Sequence, residues 1–513
     1  MSRKTGIFVG IDLGTTFSGV SVYEADGTCR MIPNADGDLL TLSVVNLQDE
    51  DHPVVGHAAV NQSAYAPEYT ARLFKRTMGV CDGQGQPIPA FVHPVSGKTY
   101  SPEALSSYVI RELVAAVEAA TGQKVIGAVI SVPAYFDAIA RDATRRAGEL
   151  AGINVRRIIN EPTAGGMAFG LDRDATGTFL AFDLGGGTFD VSILKIESGK
   201  FETLATDGDR NLGGSDIDNL LADKVLAEFK DQTGIDVTPE SDLIAFLEIL
   251  DKCEMAKKTL SRSESASFMI SAQGQRLIIE LTRAEFNSLI TPIVKKTREI
   301  TERVLAAAGL RAGDIDGPIL IGGSTRIPAV RDMLFKMFGK PPRTDINPDE
   351  AVAMGAAIVA AKLADEEGLS VVDSEGRKVL PPPVKEIAEV TAHALGCLAM
   401  RNGAERNSVI IPANSRLPAK KEDDFAVEHP EQTAVTVKIT SGADHADPAD
   451  CKFYGDMVLD GLPKRSPDKN SIRVTYGLTA DATLDITITD LISGKSVNDI
   501  RQGFGDLLGG TQS

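Results

Sequence analysis

Three glycine-rich turns carry the residues of this chain best suited to chemistry. They are Asp12-Leu13-Gly14-Thr15-Thr16, Asp183-Leu184-Gly185-Gly186-Gly187-Thr188 and Gly322-Gly323-Ser324, and each follows an apolar run of strand character. Glycine lets backbone N–H groups close on phosphate oxygens, and threonine hydroxyls add donors. A carboxylate beside such a turn makes sense with a cation between it and the phosphates, most simply Mg²⁺ with its waters. One such turn alone reads as an ordinary hairpin. Two matched Asp-Leu-Gly turns together with a Gly-Gly-Ser turn point to a phosphate cradle. Neither GxxxxGK[ST] nor a GxGxxG fingerprint is present, so the phosphates are held in neither of those ways.

The elements that must position these turns are legible as repeats and caps. Gly6–Gly27 resembles Thr178–Gly199, and both read strand, Asp-Leu-Gly turn, strand. Duplicated α/β lobes facing each other would put both turns on one cleft. Up to about residue 383, strand-like runs alternate with helical ones, which predicts α/β layering. Ser101-Pro102-Glu103 predicts a helix start, with Leu105, Val109 and Leu113 on one face and Gly122 at the end. Asn347-Pro348-Asp349-Glu350 predicts a capping box. Ala364–Glu389 is charged and contains Pro381-Pro382-Pro383, which predicts a stiff linker. Beyond it the hydrophobic period changes to two: Val435, Val437 and Ile439, then Ile472, Val474 and Tyr476, then Leu484, Ile486 and Ile488 alternate with polar residues. That pattern predicts half-buried antiparallel strands forming a small β-sandwich, followed by a frayed tail.

Composition bounds the rest. The chain has 513 residues, 43% of them hydrophobic, enough for sizeable cores in about three domains. Asp and Glu number 71 against 53 Lys and Arg, a formal charge of −18. So acidic a chain is no general binder of nucleic-acid backbones, which demand clustered cations. No stretch approaches the ~18 apolar residues of a membrane span, and the run Ala351–Ala361 reads as a packed helix. The N-terminus shows no signal-peptide pattern, and five scattered cysteines without CxxC support neither a disulfide framework nor a zinc site. Reduced thiols in a cytoplasmic protein are the expectation.

Quoted in order, the motifs GIDLGTTFS (10–18), FKRTMG (74–79), PAYFDAIARDATRRAG (133–148), RIINEPTAGGMAFGLD (157–172), FDLGGGTFDVSIL (182–194), NLGGSDID (211–218), CEMAKKTLS (253–261), IGGSTRIP (321–328) and INPDEAVAMGAA (346–357) span the N-terminal region. Together they resemble the seventy-kilodalton heat-shock (DnaK-type) chaperone family, within the wider actin, sugar-kinase and heat-shock ATPase superfold. The resemblance implies actin-like, ribonuclease H-like duplicated ATPase lobes over residues 1–383, the second beginning near 178. A linker at 384–389, a β-sandwich peptide-binding domain at 390–505 and a disordered tail at 506–513 would follow.

It also implies roles for residues. Lys75, Glu161, Asp183 and Thr188 would be catalytic, with Lys75 a point charge on the γ-phosphate and Glu161 and Asp183 orienting the attacking water. Asp12, Asp183 and Asp190 would order the hydration shell of Mg²⁺, with K⁺ as a further candidate ion. Gly14, Thr15, Thr16 and Gly185–Gly187 would hold the phosphates of ATP or ADP. Gly213, Gly214, Glu254, Lys257, Lys258, Ser261, Gly322, Gly323, Ser324, Arg326 and Asp349 would take the nucleoside side. Pro133, Arg141 and Arg157 would relay between cleft, J-domain co-chaperone and peptide domain. Met400, Phe425, Val435 and Val437 would line a groove for extended apolar segments of unfolded client polypeptides. Read alone, Lys75 is a surface charge, Glu254, Lys257 and Ser261 a solvated helix stripe, and the two valines plain sandwich core.

The chain also departs from the family pattern. Where many members carry a run of aliphatic residues that docks as an edge strand, it has Lys385-Glu386-Ile387-Ala388-Glu389. Burying Glu or Lys there without a partner is costly, which predicts altered docking. Thr483 is expected to make the groove more polar, and these 513 residues are expected to lack a counterpart of the family's helical lid, whether as a lidless member or as part of a longer protein. The partners implied are clients, a J-domain protein and a nucleotide exchange factor, with no nucleic acid and no membrane. A small-molecule kinase or actin-like filament protein on the same superfold is disfavoured by Lys75, INPDE and CEMAKK. A client-binding or exchange module with a weak or uncoupled ATPase is the remaining alternative.

Overall fold

A computed structural model describes residues 5–82, 87–173, 175–343, 346–467 and 469–501. Its first sheet runs, in spatial order, Val155–Asn160, Val125–Val132, Thr5–Asp12, Phe17–Tyr23 and Cys29–Met31. Thr5–Asp12 is parallel to Val125–Val132 and forms an antiparallel hairpin with Phe17–Tyr23. The second sheet repeats this plan. Gly177–Leu184 lies parallel to Gly317–Ile321 and forms a hairpin with Phe189–Glu197, which Lys200–Asp209 extends. Asp12 and Asp183 fall at the same place, the mouth of each hairpin, so the internal repeat has a structural counterpart.

Both central strands are covered on two faces, as their nearly continuous apolar runs require. In the first, Ile7, Val9 and Ile11 enter one core with the helix Pro102–Thr121, while Phe8 enters another. That other core lies between the lobes and is built largely from the helices Glu161–Arg173 and Ala351–Glu366. The Ala-rich helix is buried along most of its length. Its Gly355 lies so close to Ala164 that a Cβ there would collide with the Ala164 carbonyl. A third core, around Phe229 and Phe286, fills the outer part of the second lobe under the hairpin Ser265–Ala272 and Gln275–Thr282.

Local signals fared unequally. Ser101 Oγ accepts the Ala104 N–H at 3.2 Å and Gly122 closes the helix at φ +65°, as the sequence predicts. The box at Asn347 is different. Asn347 to Glu350 form a turn in which the Asn347 side chain meets Glu350, and the helix begins only at Ala351. Asn347 Oδ1 accepts the Asp349 N–H at 3.3 Å, as a cap would, and is shared with Arg326, a partner from another element that no local reading could supply; what fails is the reciprocal half of the box. The segment 364–389 is also no free linker. Ser370–Val371 joins the first sheet beside Thr5 and Gly6, and Val371, Val379 and Val384 are buried in the interlobe core. These valines, spaced among charges, make the segment a strap across both lobes.

The C-terminal strands form two four-stranded antiparallel sheets. One orders Ala404–Ile411, Leu395–Arg401, Ala434–Ser441 and Lys452–Asp460; the other orders Ala419–Phe425, Ile472–Leu478, Leu484–Asp490 and Ser496–Arg501. Burial alternates along Ile472–Leu478 and Leu484–Asp490 in the expected period of two. Tyr476 spans the sandwich, donating its hydroxyl to the Gly396 carbonyl at 2.8 Å. The tail expected at 506–513 lies outside the described residues.

The close helix crossing yields a prediction. Gly355→Ala should destabilise the ATPase lobes by about 2 kcal/mol, in the usual range for overpacking, read as a lowered urea midpoint.

Candidate functional site

The two Asp-Leu-Gly turns meet. A Cβ on Gly186 would run into the Thr16 side chain, and one on Gly187 into Thr15, so the lobes touch through residues whose lack of a side chain permits it. The helix Gly214–Thr233 starts against the same turn, with Gly214 N–H donating to the Gly185 carbonyl at 2.9 Å and Ser215 N–H to Gly186 at 2.8 Å. Ser324 Oγ donates to the Gly185 carbonyl at 3.0 Å, which brings the third turn to the other two. Strand ends, a helix N-terminus and three turns thus converge on one cleft, a fitting place for anions.

Acids and one cation line its floor. Lys75 and Glu161 form an ion pair at 2.6 Å, both buried. Lys75 sits in a short 3-10 turn and Glu161 begins the helix Glu161–Arg173. Asp183 and Asp190 are buried nearby, and Asp12 is half-buried beside them. Burial, reinforced by the Glu161 charge, pushes the Asp12 carboxyl up to about 7 and Asp190 up to about 8, and raises Asp183 as well. Four acids face one ammonium, and a cation is what the site lacks. Among the described residues no three His, Cys, Asp or Glu side chains converge closely enough to hold a bare metal ion. Carboxylates beside phosphate-cradle turns are donors of the kind that fit Mg²⁺, an ion that keeps several of its waters and is held by one or two carboxylates with substrate phosphates.

Several residues that the sequence did not single out hold this floor. Ser131 Oγ donates to Asp12 Oδ1 at 2.8 Å, and Tyr135 N–H donates to Asp190 Oδ1 at 2.8 Å. Arg76 bridges the lobes, donating to the Gly187 carbonyl at 3.1 Å and to Asp216 Oδ2 at 2.6 Å. Ser131 could have been suspected, being a lone hydroxyl inside the apolar strand Val125–Val132; Tyr135 acts through its backbone and leaves no such signal.

The nucleoside-side residues gather at the cleft's outer wall. Lys257 Nζ pairs with Asp218 at 2.7 Å and donates to the Gly214 carbonyl at 3.1 Å. Ser261 follows the helix Leu243–Leu260, which carries Lys257, and donates to the Lys257 carbonyl at 2.9 Å. Lys258 pairs with Glu254 at 2.8 Å and lies 5.7 Å from the Phe17 ring centroid, reaching across to the first lobe. Arg326 pairs with Asp349 at 2.7 Å, and Gly323 stands against Asp349. A Cβ on Gly322 would press the Leu184 carbonyl at 2.5 Å, so that turn also packs on the Asp183 strand.

The relay candidates lead out of the cleft to the β-sandwich, which is docked on the first lobe. Arg141 is buried, donates to the Phe136 carbonyl at 3.0 Å and also reaches Asn160 Oδ1. Arg157 approaches Glu389 Oε2 at 3.4 Å and Asp481 at 3.6 Å, and Arg145 pairs with Asp481 at 2.6 Å. Pro133 follows the strand Val125–Val132 directly, as Gly322 follows Gly317–Ile321. Ile139 is buried within the sandwich's own core. The residues 386–388 lie as a strand beside Lys200–Asp209, pairing Phe201 with Ile387 and Glu202 with Ala388. The expectation that charge would disturb this docking misses what the acids find. Glu386 meets Arg416 at 2.5 Å, and buried Glu389 accepts the Asn160 N–H at 3.1 Å. A buried acid with partners is not the penalised case.

The groove candidates separate. Val435 and Val437 face the sandwich core, with Phe425 packed against it, whereas Met400 is 52% exposed on a strand end. Leu395–Arg401 pairs with Ala434–Ser441 only as far as Cys397, so the two strands part on the side that carries Met400.

With this geometry in view, comparison with known proteins is decisive. A family model described as Hsp70 protein matches residues 8–503. The chain belongs to the Hsp70 family. The Chaperone protein DnaK of Thermotoga neapolitana is 38% identical over 503 residues, spanning 96% of this chain and 80% of that protein. The Chaperone protein DnaK of Thermotoga petrophila matches to the same extent. The two α/β lobes are thus the actin-like ATPase lobes of an Hsp70, and the C-terminal sheets its β-sandwich. Among the described residues no helix is long and apolar enough to cross a membrane, and all five cysteines are free thiols.

The raised carboxyls give a pH prediction for this Hsp70 without nucleotide or metal. The native chain holds these protons more tightly than an unfolded chain, whose carboxyls titrate near about 3.9. Stability should therefore fall as pH rises from about 4 to about 8. Asp190→Asn should flatten that decline, and Mg²⁺ with ADP should oppose it, both read from unfolding temperatures.

Proposed function

We propose that this Hsp70 is an ATP-driven chaperone in which Mg²⁺-dependent hydrolysis of ATP to ADP and phosphate governs binding and release of extended apolar segments of unfolded polypeptides. Lys75 would place its ammonium where charge gathers on the γ-phosphoryl group, oriented by the 2.6 Å pair with Glu161. Glu161 and Asp183 would orient the attacking water, and Thr188 with Thr15, Thr16 and the Gly185–Gly187 amides would hold the phosphates. Asp12, kept in place by Ser131, would join Asp183 and Asp190 in holding a hydrated Mg²⁺ that screens the phosphate charge. Lys257, Lys258, Ser261 and Arg326 would hold the nucleoside.

The single observation that carries the coupled reading is Glu389. Its carboxylate binds the Asn160 N–H and approaches Arg157, and the residue after Asn160 is Glu161. One peptide unit therefore separates the linker from the proposed water-orienting acid. The docked arrangement, with its parted strands near Met400, fits the ATP-favoured, peptide-releasing state. Withdrawal of Glu389 would go with undocking, closure of the groove and retention of the client. A J-domain protein acting at the Arg157 face, a nucleotide exchange factor and a cytoplasmic setting suited to reduced thiols belong to the same reading.

Release of a fluorescent peptide tests it. Release should be at least about tenfold faster with ATP than with ADP, within the usual span of allosteric coupling. Lys75→Ala should lower hydrolysis about 10²–10³-fold, the cost of losing one preorganised charge, yet keep ATP-triggered release. Glu389→Ala should keep hydrolysis and lose the difference between nucleotides. Equal release rates from the unaltered chain would replace this reading with a client-holding module whose ATPase is uncoupled.

A further inference from the structure

Tyr135 offers its backbone to two domains, through the two peptide groups that flank its Cα. Its N–H holds Asp190 Oδ1 at 2.8 Å in the cleft, and its carbonyl lies 2.8 Å from Nε2 of His393, which belongs to the β-sandwich. The rings of the two residues meet edge to face, with centroids 4.3 Å apart at 67°. The imidazole therefore stands two hydrogen bonds from a candidate metal-side acid, on the docked domain's own surface. We propose that His393 is a positioning residue that steadies the Tyr135 backbone, and with it Asp190, when the sandwich docks, and that its imidazole makes docking firm at neutral pH and loose in mild acid. This inference rests on the coupled reading above.

The surroundings set the sign. The charged groups against His393 are Asp137, Lys452 and Arg141, with the Tyr135 carbonyl as its hydrogen-bond partner. Asp137 is already engaged: it pairs with Lys452 and accepts the Ala140 N–H at 3.0 Å as the cap of its helix. Tyr454, the other titratable group beside Asp137, is kept neutral by burial, which raises its phenol. A second proton on the imidazole would thus add a cation beside two others, with one committed carboxylate to balance them. Burial lowers the imidazole's affinity for that proton, Lys452 and Arg141 push the same way, and Asp137 and the Tyr135 carbonyl oppose them. In the undocked chain an exposed imidazole titrates near about 6.5. Docking is therefore fully supported above that pH and weakens as pH falls below it, by up to about tenfold per unit while only the undocked form takes the proton.

Docking of the full chain in saturating Mg²⁺ and ATP can be followed by small-angle X-ray scattering, as compaction, from about pH 7.5 to about pH 5.5. The unaltered chain should lose compaction across this range. His393→Gln keeps an N–H donor but cannot titrate, and should dock at pH 7.5 as the unaltered chain does and remain docked in acid. His393→Leu keeps bulk without a donor, and should dock less at every pH with a flat profile. Parallel pH profiles for the unaltered chain and His393→Gln would overturn the titration. Equal docking of the Gln and Leu variants at pH 7.5 would overturn the positioning role. Absence of ATP-dependent compaction in the unaltered chain at pH 7.5 would instead reject the coupled reading, and this inference with it.

Discussion

The ion pair of Lys75 with Glu161 is the constraint around which the rest of this protein is arranged. A single buried ammonium stands among three buried carboxylates and the half-buried Asp12, and each of those acids is costly to desolvate unless something holds it. Ser131 grips Asp12, and the Tyr135 N–H grips Asp190. Supplying these partners takes strand ends from both sheets and the start of the helix between them. No single lobe contains the set.

The same seam explains why the linker matters despite its charged composition. Glu389 is buried where two neighbours of the acidic floor, the Asn160 N–H and the Arg157 guanidinium, receive it. Glu386 is exposed to Arg416, a residue of the sandwich. An aliphatic strand would add apolar burial along its length to the β-pairing; this one pairs with Lys200–Asp209, buries Ala388, and adds directed polar contacts of its glutamates. Such contacts are strong only in the correct register, which favours a docked state that either forms completely or lets go.

Much of the fold was legible in the residues. The Asp-Leu-Gly repeat anticipated twin hairpins, Ser101 and Gly122 bounded their helix, and the period of two along Ile472–Tyr476 and Leu484–Ile488 marked the sandwich. Each is a local pattern, set by backbone geometry within a turn or a pleat. The misreadings share a different cause. Asn347 looked like half of a capping box, yet its oxygen, besides accepting the Asp349 N–H, is shared with Arg326 from another element. The Pro-containing strap looked free, yet Val371, Val379 and Val384 find an interlobe core that no window around them reveals.

The sequence by itself determined the family, the two-lobed ATPase architecture and the types of residue in the phosphate turns, because motif spacing and periodicity are properties of neighbouring residues. Only the tertiary structure decided which acids share a floor, that the charged linker finds partners for its carboxylates, and that the backbone of Tyr135 stands between Asp190 and His393. Those outcomes depend on hydrogen bonds and ion pairs between residues far apart in the chain, whose free energy exists only once folding has excluded water and brought them within about 3 Å of each other.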